Sequence, residues 1–238
     1  IECGYRLIDT GAIYDNEVEV GRAIVQAKIS RDEIIVTTKG AHDPEEHGYA
    51  QILRSFDQSL RRLALSYIDY YLVHWPSNSK LRKDTWRGME HILAQGGAKA
   101  IGVSNYAVHH LEELQDMSVQ PAMNQIEFHP FIWNDSYKLV QYNRQNNIQT
   151  VGYATLAQGQ AQSDPVVRAI SARIGKSSQQ ILTRWAINHG VVPLVRSSST
   201  QHIIENLHAK DILLTDEDMA GLNMLHGRRL FPNPAQLP

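Results

Sequence analysis

The chain has a single cysteine, Cys3, among 238 residues, so no disulfide can form within it. That suits a reducing compartment, and the cytoplasm is the expected location. No apolar run is long enough to span a bilayer, so no membrane partner is expected. Basic residues are not in excess. Lys and Arg number 23 against 25 Asp and Glu, for a net charge of -2. Nucleic acid and anionic membrane surfaces are therefore not expected partners. No G-x-G-x-x-G follows the first candidate strand, which counts against a Rossmann dinucleotide fold. No sequence repeat, low-complexity tract or Pro/Gly-rich linker marks a boundary between domains.

What is present is a regular alternation of short β-branched runs and longer amphipathic stretches. The candidate strands are Tyr5–Thr10, Ile34–Lys39, Ile68–His74, Ala98–Ser104, Ala122–Glu127, Ile148–Tyr153 and Val191–Arg196. Between them, residues 49–63 place Ile52, Leu53, Phe56, Leu60 and Leu63 on one helical face. Residues 177–188 do the same with Ile181, Leu182, Trp185 and Ala186. Strands separated by helices pair in parallel through right-handed crossovers. An open doubly wound sheet and a closed barrel both satisfy that pattern, and the unbroken beat favours one closed barrel.

The expectation is a (β/α)8 TIM barrel forming a single domain over residues 1–238. Seven strands are countable where such a barrel needs eight. Residues 1–4 read as the end of a helix entering the strand at Tyr5. The first strand and most of the first helix are thus expected upstream. Residues 226–238, with three prolines in the last seven positions, are expected to form an irregular tail without regular structure.

In a parallel barrel the active site collects where strands end. Asp9 closes the first strand and Tyr14 lies in the loop after it; Lys39 closes the second and His74 the third. Each residue alone has an ordinary structural reading. Their fall at successive strand ends makes them a candidate catalytic set. A free Tyr keeps its proton at pH 7, and a nearby ammonium favours its phenolate. An Asp beside the Lys keeps that Lys charged and placed. A neutral His can donate a hydrogen bond to a substrate oxygen. Such donors act on charge that develops during reduction of a carbonyl.

The segments Gly4–Glu17, Ile35–Lys39, Ile68–Pro76, Ile101–Asn105 and Asn124–Pro130 together resemble the aldo-keto reductase superfamily. The resemblance implies a barrel enzyme that reduces aldehydes or ketones with NADPH, a small-molecule carbonyl as its partner, and a monomer. It implies that Tyr14 is the proton donor, that Lys39 and Asp9 tune it, and that His74 orients the carbonyl beside Trp75. It assigns Asp9, Ser104, Asn105 and Gln125 to the nicotinamide end of the cofactor and Tyr153 to an aromatic platform under the ring. Leu156, Arg196, Ser197, His202, Glu205 and Asn206 would complete the cofactor site. The family commonly shows Pro-Lys-Ser where this chain has Val195, Arg196 and Ser197, and an Arg where it has His202. Arg196 still grips a 2′-phosphate, whereas His202 is a weaker partner. The expectation is NADP use with tolerance for NAD. Gly11 replaces a usual Ala, with little expected consequence.

Two other function classes compete. One is a nicotinamide-binding regulatory subunit with little turnover. The other is a metal-dependent hydrolase using His74, Asp9 and Lys39. His42 and His47 alone show ligand-like spacing, and no paired cysteines accompany them, so no metal is expected. Trp75, Trp133 and Phe231 are candidates to line a substrate pocket; Trp86 and Trp185 read as helix packing. His129 reads as shaping the turn after Glu127.

Overall fold

Among the described residues seven strands form, and their neighbours follow chain order from the first to the seventh. They are β1 (Leu7–Asp9), β2 (Ile35–Gly40), β3 (Ile68–Val73), β4 (Ala98–Ser104), β5 (Met123–Glu127), β6 (Gln149–Tyr153) and β7 (Val192–Pro193). The computed structural model describes residues 1–237. These fall into two compact units, one of residues 1–124 with 234–237 and one of residues 125–233.

In the first unit, β1 pairs β2, β2 pairs β3 and β3 pairs β4, all in parallel. The crossovers are α1 (Glu17–Gln26), α2 (Tyr49–Leu63) and α3 (Ser79–Ala94), with a short α4 (Val108–Glu112) after β4. The apolar stripe of α2 buries Ile52, Phe56, Ser59 and Leu63. Arg61 and Arg62 in its last turn complement the helix dipole, and Ala64 ends it in the left-handed region. Asn78 caps α3 by accepting a hydrogen bond from the Leu81 amide. That helix buries Trp86, Met89 and Ile92, and the Trp86 indole N–H donates to the Val119 carbonyl at 2.8 Å. Helices α1 and α2 approach so closely that a Cβ on Gly21 would lie 2.2 Å from the Leu63 carbonyl oxygen.

In the second unit, β6 pairs β7 with Val151 opposite Val192. Its helices are α5 (Trp133–Gln145), α6 (Pro165–Ile174), α7 (Ser178–Asn188), α8 (Thr200–Leu207) and α9 (Asp216–Asn223). Phe128 stacks on Trp185 at 4.7 Å in a core shared with Val167, Ile181, Leu182, Ile212 and Leu222. Asp164 caps α6 ahead of Pro165, and Ser177 with Gln180 forms a capping box on α7.

Four expectations need correction. Residues 1–4 form a turn, with the Gly4 amide bonded to the Ile1 carbonyl, and not the end of a helix. β1 is three residues long rather than six. β7 stops at Pro193 instead of reaching Arg196: the Leu194 amide still donates to the Gly152 carbonyl, but β6 ends at Tyr153 and leaves the chain beyond no ladder to join. The tail contains one 3-10 turn at Pro234–Gln236, where a proline in the first position gives up no needed bond. Pro238 lies outside the described residues.

Candidate active site

The first unit brings Asp9, Tyr14, Lys39 and His74 together. Lys39 is held within β2 and is fully buried. Its Nζ donates to Asp9 Oδ2 at 2.7 Å and to the Thr10 carbonyl at 2.6 Å. A buried ammonium needs this degree of pairing to remain charged. The same Nζ lies 5.0 Å from the centroid of the Tyr14 ring.

Tyr14 ends a 3-10 turn over Ala12–Tyr14 and is 47% exposed. Its loop is closed by the Thr10 hydroxyl, which donates to Asn16 Oδ1 at 2.6 Å, and by the Tyr14 amide on the Gly11 carbonyl. A Cβ on Gly11 would sit 3.3 Å from Tyr14 Cε2, so this glycine leaves the phenol ring slack that an alanine would remove. Just past β3, His74 presents its ring edge-on to Tyr14, with centroids 5.7 Å apart. Burial, with the Lys39 charge and His42 adding to it, pushes the His74 pKa from 6.5 down to about 3. The ring is neutral at pH 7, and its Nδ1 is buried without a hydrogen-bond partner.

Beside it, Asn105 sits in the left-handed region at φ 62°. Its Nδ2 donates to the His74 carbonyl at 3.0 Å and to Ser104 Oγ at 3.1 Å. A non-glycine residue held there marks a position that its surroundings over-determine. Ser104 and Asn105 are both buried, and Trp75 is half-buried next to His74.

Two contributors escaped the sequence reading. His42 places its ring 4.9 Å from that of His74. Glu17, buried at the start of α1, accepts from the Thr38 hydroxyl and from Arg62, both at 2.6 Å, and so anchors the strand position before Lys39. Glu17 closes the motif that carries Tyr14, which was its only signal. His42 had none, since spacing does not reveal where a loop side chain turns.

The remaining candidates belong to the second unit. Gln125 is buried within β5, and Tyr153 closes β6. Phe231 meets the Tyr153 ring edge-on at 5.2 Å. After Tyr153 the backbone is unusual: Ala154, Ala157 and Gln158 all have positive φ, and Gly159 follows at 90°. Leu156 packs on the apolar core inside this loop. Arg196 is exposed in the loop after β7, and Ser197 Oγ accepts from the Ser199 amide. His202 is exposed in the first turn of α8. Gln201 Nε2 donates to Glu205 Oε1 at 2.7 Å, while Asn206 is buried with its Oδ1 unpartnered.

These residues fit a dinucleotide. The strained loop has the backbone economy of a ligand cradle. The orphaned Asn206 oxygen is an acceptor waiting for a donor such as an exocyclic amine, and Arg196 offers a planar fork to phosphate.

Other residues fall to structural roles. His129 Nε2 meets Glu127 Oε1 at 2.9 Å, and the Leu230 amide donates to the same oxygen. Burial by itself raises the Glu127 pKa, but these bonds and Arg229 outweigh it and the net shift is downward. Trp133, partly buried, stacks on His189 at 3.8 Å against the core of its unit. Among the described residues no three His, Cys, Asp or Glu side chains gather as a metal site, and no helix is long and apolar enough to cross a membrane.

The aldo/keto reductase family model matches residues 1–226, and the chain belongs to that family. It is 42% identical to the glyoxal reductase of Bacillus subtilis (strain 168), over the whole of this chain and 85% of that protein. An aldo-keto reductase from a Medee basin deep-sea metagenome library superposes with a TM-score of 0.93 at 37% identity, covering 100% of this chain and 88% of the other. A mutant of Gox0644 solved in complex with NADPH superposes at 0.89 with 29% identity, covering 100% and 86%.

Proposed function

We propose that this chain reduces small aldehydes or ketones to alcohols with NADPH, Tyr14 being the proton donor. The observation that carries the reading is a fully buried ammonium, paired to Asp9, 5.0 Å from the ring of a half-exposed tyrosine that also meets a neutral histidine. When bound, the reduced nicotinamide supplies the hydride. His74 orients the carbonyl. With Nδ1 buried and unpartnered, the tautomer protonated on Nε2 leaves only a lone pair unsatisfied, and Nε2–H is the donor offered. Tyr14 then gives its phenolic proton to the oxygen on which charge develops. Lys39, fixed by Asp9, stabilises the phenolate left behind.

Ser104, Asn105 and Gln125 are assigned to the nicotinamide carboxamide and Tyr153 to the ring face. Leu156 is assigned to the cofactor, Arg196, Ser197 and His202 to its 2′-phosphate, and Glu205 and Asn206 to the adenine. With His202 a weak phosphate partner, NADH is tolerated. A kcat/KM ratio for NADPH over NADH above a thousandfold would contradict that tolerance. The similarity to a glyoxal reductase makes short dicarbonyls the first substrates to try.

The deciding experiment is Tyr14→Phe. It should remove most turnover on an aldehyde panel and leave NADPH affinity within about twofold. Turnover retained at near the native rate would refute the assignment.

A further inference from the structure

Where β5 ends, a buried carboxylate holds the tail. Glu127 is 3% exposed and lies two residues past Gln125, on the same face of the strand. Its Oε1 accepts from the Leu230 amide at 2.6 Å and from His129 Nε2 at 2.9 Å. Arg229 Nη1 stands 3.6 Å from its Oε2. Hydrogen bonds to an ionised acceptor are short and strong, and a carboxylate buried this deeply requires them. Among the described residues, 225–233 form no helix or strand, so side-chain anchors fix their path. Two more anchors join this one. Leu230 packs against the apolar core, and a Cβ on Gly227 would lie 2.8 Å from Phe131 Cγ, so the tail backbone rests on that ring.

The carboxylate is thus one residue away from an aromatic contact within the candidate site. Phe231, next after Leu230, meets the Tyr153 ring at 5.2 Å with the two planes 84° apart. Tyr153 ends β6, and its carbonyl accepts from the Phe128 amide at 3.0 Å. Glu127 and Tyr153 are therefore tied twice, once through the neighbouring strands and once through Leu230 and Phe231. All of these residues lie in the second unit. Phe231 is 37% exposed, so apolar burial alone does not hold its ring in place.

We propose that Glu127 is a positioning residue for the cofactor: by seating the Leu230 amide it sets Phe231 against Tyr153, and so pre-orients the platform on which the nicotinamide stacks. This role rests on the reading of Tyr153 as that platform. A lone ring at a strand end can swing about its side-chain bonds. An edge-on neighbour removes that freedom before the cofactor arrives, which lowers the ordering cost of binding. The effect belongs to the nicotinamide end, so NADPH and NADH gain from it alike. Arg196 differs in this respect, because the 2′-phosphate assigned to it is absent from NADH.

The test measures NADPH and NADH binding by the full chain, from cofactor fluorescence, with no substrate present. Phe231→Ala removes an edge-on aromatic pair and should raise both dissociation constants about fivefold. Glu127→Leu should do the same, and should also speed trypsin cleavage after Arg228 and Arg229 in the cofactor-free chain. Glu127→Gln keeps an oxygen for the Leu230 amide and should recover native affinity to within about twofold. If Glu127 acts through Phe231, the double variant Glu127→Leu/Phe231→Ala should bind no more weakly than either single one. If Glu127→Leu does not fold, Glu127→Asp takes its place in the cycle, since it keeps the charge and falls one carbon short of Leu230. Losses that multiply to about twenty-five-fold in the double variant would overturn the role. So would weakening confined to NADPH, an unchanged cleavage rate, or binding that Phe231→Ala leaves equal or tighter. A native chain that binds both cofactors but turns over no carbonyl would sink the reductase reading and leave the role of Glu127 standing. A native chain that binds neither would overturn both.

Discussion

Replacing Lys39 by Met tests the proposed chemistry most directly. Met is one heavy atom shorter and fills most of the same buried volume, so the perturbation is chiefly the charge and two hydrogen bonds. Two effects follow, and they separate. On stability, Asp9 loses its partner. Removing one member of a buried pair costs about 3–5 kcal/mol, and the 15% exposure of the Asp9 side chain puts this case near the lower end. On catalysis, taking the phenolate charge at the Tyr14 ring centroid, 5.0 Å from the ammonium, the attraction is roughly 332/(20 × 5), about 3 kcal/mol, at an effective dielectric of about 20. That is roughly two hundredfold in rate. The assay is consumption of reduced nicotinamide at saturating cofactor, on protein shown folded by circular dichroism. The loss should fall in kcat. If Lys39 acts through Tyr14, the two substitutions are not independent. In a Tyr14→Phe background there is no phenolate to stabilise, and Lys39→Met should then cost less than about tenfold more. A full further two hundredfold in that background would refute the coupling. A folded Lys39→Met enzyme with a third of native kcat would refute the role of the charge altogether.

Other outcomes are expected from the same geometry. His74 and His47 have pKa values depressed to about 3 and about 4 by burial, so below pH 6.5 the unfolded chain takes up protons that the folded chain refuses. Stability should fall as pH drops from 6.5 toward 4, on the order of 1 kcal/mol per pH unit for each ring; a urea midpoint that stayed flat between pH 6.5 and 5 would contradict both shifts. Arg196→Ala should raise the KM for NADPH about tenfold or more while leaving NADH nearly unchanged, measured by initial rates with each cofactor. Gly21→Ala, with its Cβ 2.2 Å from the Leu63 carbonyl oxygen, should push α1 off α2 and cost about 2–3 kcal/mol, read as a drop of several degrees in Tm.

Much of this was legible before any coordinates, and the reason differs from element to element. The stripe through Ile52, Phe56 and Leu63 placed α2 correctly because four turns of three-and-four spacing leave no competing period. The strand at Ile35 was legible as a β-branched run, and the one at Ile68 because Tyr70 and Tyr71 stand between β-branched Ile68 and Val73. β7 was overextended because hydrophobicity runs on through Val195, whereas its partner β6 ends at Tyr153. Apolar pattern reports burial; the reach of the partner strand decides where a ladder stops.

The same division runs through the site. Lys39 and His74 were readable because one lies near the end of β2 and the other directly after β3, its amide still bonded to the Gly40 carbonyl, so the strands fix where both sit. His42 and His47 were not. Their spacing on a polar loop allowed only a weak metal reading, since the direction of a loop side chain depends on contacts remote in sequence. For these two, the remote contacts are a hydrogen bond from Gly48 to Thr85 and the ring of His74. A loop built this way can change without touching any motif that identifies the family. Substitutions confined to residues 42–47 should therefore shift which carbonyl is preferred while leaving the Lys39–Asp9 pair intact, because that pair is held by β1 and β2 alone.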